Sequence, residues 1–268
     1  MNDMSRCLPE ALPDVQAQPD GRALAIDWVG VSGVRYPVAI KGWGNAASVA
    51  ATWSMGVRLG PSERGTHMSR FIEVLEAAET PLDQAGFKVL ADRVRERLGA
   101  PRATIEARFP WFVRKTAPAS GVASWFDCEA GWRAHSHADR PTELDLLAEV
   151  PVATLCPCSR EISERGAHNQ RSMVRIEARL ARTMAIEELV AIAERAASCE
   201  LYALLKRVDE KLVTEKAYDN PRFAEDLARE AQRHLAREPR IVDFMVDVEN
   251  LESIHNHSAR ARIGSPLG

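Results

Sequence analysis

Apolar and polar positions alternate over long stretches of the chain, as they do in half-buried strands. Residues 23–40 are rich in β-branched and aromatic side chains. In 49–59, Val49, Ala51, Trp53, Met55, Val57 and Leu59 share one face, and Thr52, Ser54 and Arg58 the other. A turn at Gly42-Trp43-Gly44-Asn45 joins these two segments as a predicted hairpin. The period then lengthens to that of a helix. One helix is predicted from Ser69, as its cap, to about Thr80, with Phe71, Val74, Leu75 and Ala78 on one side. A second spans 82–98 and stops at Gly99, before Pro101. Alternation returns at 103–113, where Ala103, Ile105, Ala107 and Phe109 interleave with Thr104, Glu106 and Arg108. Another strand is predicted at about 122–137, after a Pro118–Gly121 turn.

The second half repeats this order. Strands are predicted at 143–154 and 172–183, where Val174, Ile176, Ala178 and Leu180 oppose Arg175, Glu177 and Arg179. One long amphipathic helix is predicted over 186–213 and another over 221–236, opening at Asn220-Pro221. Strands follow at 240–249 and about 258–264. Two ββααββ runs predict an α+β fold of antiparallel sheets carrying helices on one face. The expected units are 23–140 and 141–268, after a flexible N-terminal tail over 1–22.

Composition narrows the function classes. Hydrophobic residues make up 46% of the 268, enough for a sizeable core, which excludes disorder over most of the chain. The formal net charge is -3, so an anionic ligand must be met by a local basic cluster rather than by the global field. Neither a nucleic-acid nor a membrane partner is expected. Five cysteines are too few for a disulfide scaffold and fit a reducing compartment. The first residues lack the apolar run of a secretory signal, and no stretch approaches a membrane span. The expectation is a soluble, cytoplasmic protein.

Candidate chemistry concentrates in 155–172, Leu-Cys-Pro-Cys-Ser-Arg-Glu-Ile-Ser-Glu-Arg-Gly-Ala-His-Asn-Gln-Arg-Ser, a long connection between two predicted strands. A Cys156–Cys158 disulfide would close an unfavourably small ring. A structural zinc site would show a second pair of ligands, and none is present. Two readings stay open from the residues alone. In one, Cys156 and His168 supply two of the three protein ligands of a catalytic metal, with a carboxylate as the third. In the other, the cysteines are core thiols and His168 a satisfied loop histidine. His255 and His257 would share one face of an extended segment, suiting a proton relay, metal ligation or anion binding, or else belong to a solvated turn. Arg64, His67 and Arg70 precede a predicted helix, where an anion such as phosphate or plain solvent is met. Cys7, Cys128 and Cys199 have no partner pattern and read as structural or incidental.

Taken together, these motifs resemble type IB GTP cyclohydrolase I. The resemblance rests on the 155–172 segment, on Arg64-Gly-Thr-His-Met-Ser-Arg-Phe71, on Val208-Asp-Glu-Lys211 with Tyr218-Asp-Asn-Pro-Arg-Phe223, and on Ser253-Ile-His-Asn-His257. It runs from about residue 22 to 260. It implies tandem tunnelling-fold units that build a barrel, and a homotetramer with active sites at subunit interfaces. It further implies metal ligation by Cys156, His168 and Glu210, although Glu210, between Asp209 and Lys211, otherwise reads as a solvated helix carboxylate. Glu225 would anchor the guanine ring, and Cys158, His255 and His257 would be further active-site residues. The triphosphate would meet Arg64, His67, Arg70 and Arg171. A mixed Cys, His, Glu set admits Zn²⁺, Mn²⁺ or Fe²⁺ as the divalent metal. The implied reaction turns GTP into 7,8-dihydroneopterin triphosphate and formate, the first step of folate biosynthesis. The competing possibilities are a tunnelling-fold nitrile reductase acting on a deazapurine, and a non-enzymatic metal-binding protein.

Overall fold

Among the described residues eight strands form one sheet, in which each pairs antiparallel with its neighbours in sequence. The computed structural model describes residues 13–41 and 46–267. The expected Gly42–Asn45 turn and Cys7 fall outside the described residues. The strands are β1 (Ile26–Lys41), β2 (Ala46–Leu59), β3 (Arg102–Thr116), β4 (Ala123–His137), β5 (Glu143–Leu155), β6 (Asn169–Leu180), β7 (Ile241–Asn250) and β8 (Ala259–Ile263). Between β2 and β3 lie α1 (Ser69–Glu76) and α2 (Gln84–Arg97). The short α3 (Pro157–Ile162) joins β5 to β6, and α4 (Ile186–Ala196), α5 (Arg207–Asp219) and α6 (Ala224–Leu235) lie between β6 and β7. The fold is α+β, and both halves keep a ββ–helices–ββ order.

The alternation sorts the two faces of the sheet. On one face, Ile105, Ala107 and Phe109 of β3, Trp132 of β4, Leu146 and Val150 of β5, Ile176 of β6 and Val246 of β7 join one core with Phe71, Phe87, Leu189 and Leu227 from the helices. Phe87 stands at its centre, 5.8 Å from the ring of Trp53 and 5.5 Å from that of Trp132. The opposite face carries cross-strand ion pairs. Arg133 bridges Glu106 and Glu177, Arg175 bridges Glu149 and Glu249, and Asp247 receives Arg260 and Arg262.

Three helix expectations need correction. The helix expected to open at Asn220-Pro221 starts at Ala224 with Phe223 at its N-cap, and Asn220 instead closes α5. Met68 occupies the N-cap position of α1, with no side-chain cap, so Ser69 is the first helical residue rather than the cap. The predicted helix over 186–213 is two helices, because the chain leaves helical geometry at Ala197. Buried tethers hold the 197–206 segment against the sheet. The Ser198 hydroxyl accepts from the Leu155 amide, and the Ala153 amide donates to the Cys199 carbonyl. Lys115 pairs with Glu194, donates to the Leu201 carbonyl, and lies 4.7 and 4.4 Å from the rings of Phe126 and Tyr202. These tertiary bonds outweigh a helical propensity worth only tenths of a kcal/mol per residue. The loop predicted over 155–172 also holds a helix, α3, and β6 begins at Asn169 rather than 172.

Candidate active site

The end of β5 and the start of β6 bring Cys156 and His168 together. Thr154 pairs with Gln170 and Leu155 with Asn169 across the two strands, so the next residues out face each other. The Cys156 amide donates to the His168 carbonyl over 3.1 Å. Pro157 then starts α3, with Cys156 at its N-cap and the Ser159 amide pointing at the Cys156 sulfur, 3.5 Å away. The Ser159 hydroxyl donates to the Cys156 carbonyl over 3.2 Å and accepts from the His168 amide over 3.2 Å. Gly166, at φ +104, supplies the left-handed backbone by which the chain returns from α3. Cys158 is exposed on α3.

The ring of His168 is held from one side. Its Nδ1 lies 3.1 Å from Gln170 Oε1 and 3.2 Å from the Ser253 hydroxyl. Among the described residues no hydrogen bond engages Nε2. Ser253 belongs to the bend carrying His255 and His257, whose rings stack at 5.2 Å with 18° between planes. That segment is bent rather than extended, and ring stacking rather than strand alternation brings the two together. Both are exposed.

Three further carboxylates of interest sit in helix first turns. Asp209 of α5 is fully enclosed and accepts from the amides of Ala119, Ser120 and Lys206, each at 2.8 Å, and from the Ser120 hydroxyl. Burial alone would raise its pKa, but hydrogen bonds from Ser120, Lys206 and Ala119 outweigh it and hold the carboxyl well below its usual range. Glu210 beside it is exposed. Glu225, in the first turn of α6, is exposed as well. The approach to α6 runs past the site: the Arg222 amide donates to the Leu155 carbonyl over 3.0 Å, and Arg160 of α3 lies 4.7 Å from the ring of Tyr218 on α5.

The chain therefore gathers Cys156, His168 and the His255–His257 bend. Among the described residues no three Cys, His, Asp or Glu side chains converge as a metal group. The donor set still fits a metal in part. A sulfur at a helix start and an imidazole with Nδ1 engaged and Nε2 unengaged make two of the three expected ligands. Arg64 and His67 bond instead to Gln18 (2.6 Å) and Asp14 (3.0 Å), and Arg70 follows at the start of α1. Arg171 is exposed on β6. No hydrogen bond or ion pair among the described residues links any of these four to Cys156 or His168. A cavity of about 400 Å³ between α2 and α4, walled by Trp111, Trp132 and Met184, shares none of the candidate residues. Burial pushes the Cys128 and Cys199 thiols up to about 12, in keeping with structural roles.

Residues 12–261 match the protein family described as type I GTP cyclohydrolase folE2. The chain belongs to that family. It is 52% identical over 254 residues to GTP cyclohydrolase FolE2 1 of Dechloromonas aromatica, covering 94% of this chain and 95% of the relative. It is 48% identical over 263 residues to GTP cyclohydrolase FolE2 2 of Cupriavidus metallidurans, covering 98% and 97%. Among solved structures, uricase from Arthrobacter globiformis superposes with a TM-score of 0.52 at 8% identity, over 90% of this chain and 94% of that one. That likeness shows the fold alone, the tunnelling fold. Family membership decides for a GTP cyclohydrolase against the nitrile reductase and the non-enzymatic metal binder.

Five polar residues of the site were not singled out from the sequence: Ser159, Gln170, Ser253, and the buried pair Thr154 and Ser172. A signal for three of them was present in this FolE2-family chain. Thr154, Gln170 and Ser172 share the parity of Val152, Val174 and Ile176, so polar side chains stand where the alternation calls for apolar ones.

Proposed function

We propose that the chain converts GTP and water to 7,8-dihydroneopterin triphosphate and formate at a site built on Cys156, His168 and Glu210. The observation that carries this is the pairing of Cys156 with His168 across the ends of β5 and β6 in a chain of this family. The wider assignment, GTP cyclohydrolase I of folate biosynthesis, follows from that family. Cys156 Sγ, His168 Nε2 and the Glu210 carboxylate would hold the divalent metal, Zn²⁺, Mn²⁺ or Fe²⁺. When bound, the metal lowers the pKa of water toward neutrality.

The chain's own residues do the rest. Glu225 accepts hydrogen bonds from the guanine N–H groups, a pattern that adenine cannot offer. His255 or His257 donates a proton to N7 as water attacks C8, a task suited to imidazole near neutral pH. Cys158, on the turn of helix after Cys156, is a further residue of the same site. The formyl group that leaves is the former C8. Arg64, His67, Arg70 and Arg171 meet the triphosphate, and the net charge of -3 makes such a local cluster necessary.

We read the site as completed between subunits of a homotetramer, the units 23–140 and 141–268 closing into a barrel on assembly. Support comes from the exposure of Glu210, Glu225, His255 and His257, and from apolar side chains left in solvent on the same elements: Ile162 on α3, Val208 on α5 and Ile254 beside His255 are 82%, 59% and 64% exposed. No helix among the described residues is long and apolar enough to cross a membrane, and the proposed compartment is the cytoplasm. The test is turnover: pure protein given GTP with Mn²⁺ or Zn²⁺ yields a pterin that fluoresces after oxidation. GTP left intact under all of these metals contradicts the assignment.

A further inference from the structure

A chain of buried polar side chains runs away from His168 into the sheet. His168 Nδ1 lies 3.1 Å from Gln170 Oε1. Gln170 Nε2 donates to Thr154 Oγ1 over 2.7 Å, Thr154 Oγ1 and Ser172 Oγ are 2.8 Å apart, and Ser172 Oγ donates to Asn250 Oδ1 over 2.7 Å. Thr154 and Ser172 are fully buried, and Asn250 and Gln170 nearly so. All four stand on the core-facing stripe of β5, β6 and β7, which is otherwise apolar: Val, Ile, Leu, Ala and Phe. The core alone would be better served by aliphatic residues at these positions, since buried polar groups are costly unless every one is paired. Here three adjacent strands turn polar at the same end, next to His168.

The bonds have one direction. Asn250 Oδ1 only accepts, so the Ser172 proton goes to it. Ser172 Oγ then accepts the Thr154 proton, and Thr154 Oγ1 accepts from the Gln170 amide N–H. That leaves Gln170 presenting Oε1, a pure acceptor, to the imidazole. Nδ1 must carry the proton, and Nε2 keeps its lone pair.

We infer that Gln170 is a positioning residue which, oriented through Thr154, Ser172 and Asn250, fixes His168 as the Nδ1–H tautomer and so readies Nε2 for metal before any metal arrives. The inference rests on the proposed role of His168 as a ligand. Ser253, 3.2 Å from the same nitrogen, is a second acceptor for the same proton, but it lies on an exposed bend and has no part in the buried chain. Orienting partners of this kind typically change metal affinity by roughly 10–100-fold.

The experiment is long-range ¹H–¹⁵N correlation on metal-free, histidine-labelled protein at a pH where the ring is neutral, paired with Zn²⁺ and Co²⁺ titration. His168 is assigned by the signal lost in His168→Ala. The wild type is expected to show Nδ1–H. Gln170→Leu should mix the tautomers and weaken Zn²⁺ binding by about 10-fold or more. Gln170→Glu keeps an acceptor at the same place and should restore the Nδ1–H form. An Nε2–H ring in the wild type overturns the inference, as does a Gln170→Leu variant with unchanged tautomer and affinity. If the tautomers behave as expected but His168→Ala binds Zn²⁺ like the wild type, the relay stands and the ligand assignment falls.

Discussion

Ser120, at the turn between β3 and β4, donates its hydroxyl to Asp209 of α5 over 2.6 Å. The bond crosses from the first half of the chain to the second. With the amides of Ala119, Ser120 and Lys206 it fixes the first turn of α5, the turn that carries Glu210. Asp209→Ala is therefore expected to leave the protein folded by circular dichroism while amide exchange over 207–213 accelerates and GTP turnover drops by at least about tenfold, in line with the cost of a small misplacement of a catalytic group. Unchanged exchange in that segment would show that the buried carboxylate does not hold the helix.

Cys156 and His168 are tied through their backbones, so truncating either side chain leaves that pairing of β5 and β6 in place. Cys156→Ala and His168→Ala should each purify folded, contain little metal by elemental analysis, and release almost no formate. Near-normal turnover by either variant after chelation would remove that residue from the site.

Glu225 is exposed in the first turn of α6, where its neighbour Asp226 bonds the Phe223 amide over 3.1 Å and Glu225 makes no hydrogen bond among the described residues. Glu225→Gln should raise KM for GTP and narrow the preference for GTP over ATP, with the melting temperature unchanged. A preserved GTP-to-ATP ratio argues against its guanine role.

The cysteines divide by burial. Burial first, and then nearby carboxylates, raise Cys128 and Cys199 from an ordinary 9 to about 12, so both stay protonated at pH 8 and a thiolate-seeking reagent such as iodoacetamide should leave them unlabelled in the folded protein. Cys158, exposed, should label readily. The same shifts bear on stability. The folded state holds these protons more tightly than the unfolded state, so their contribution is present below pH 9 and is lost as pH rises from about 9 toward 12. Denaturant titrations at pH 8 and pH 10.5 should show the decline, and Cys199→Ser should lessen it.

Much of the fold was legible because one period dominates each strand. The apolar parity of Ile105, Ala107 and Phe109, and of Val174, Ile176 and Ala178, is the parity of the core. The helix break at Ala197 was not legible, because it depends on Ser198 meeting Leu155 and Lys115 meeting Leu201, contacts distant in sequence. The candidate site was legible where residues share one connection, as Cys156 and His168 do at the two ends of the link from β5 to β6. The partners of Glu210, Glu225 and the Arg64–Arg70 cluster were not, since within one chain these groups lie on separate elements. The polar stripe of Thr154, Gln170 and Ser172 was visible as an interruption of the alternation, but only the strand register reveals that the interruptions adjoin.

The central claim is that this site opens the guanine imidazole and expels C8. GTP carrying an isotopic label at C8 tests it directly: in the presence of Mn²⁺ or Zn²⁺ the label is expected to leave as formate, one per GTP consumed, with chelation stopping the release. GTP consumed while the label stays in the nucleotide or pterin product, or no labelled formate with any divalent metal supplied, would contradict it.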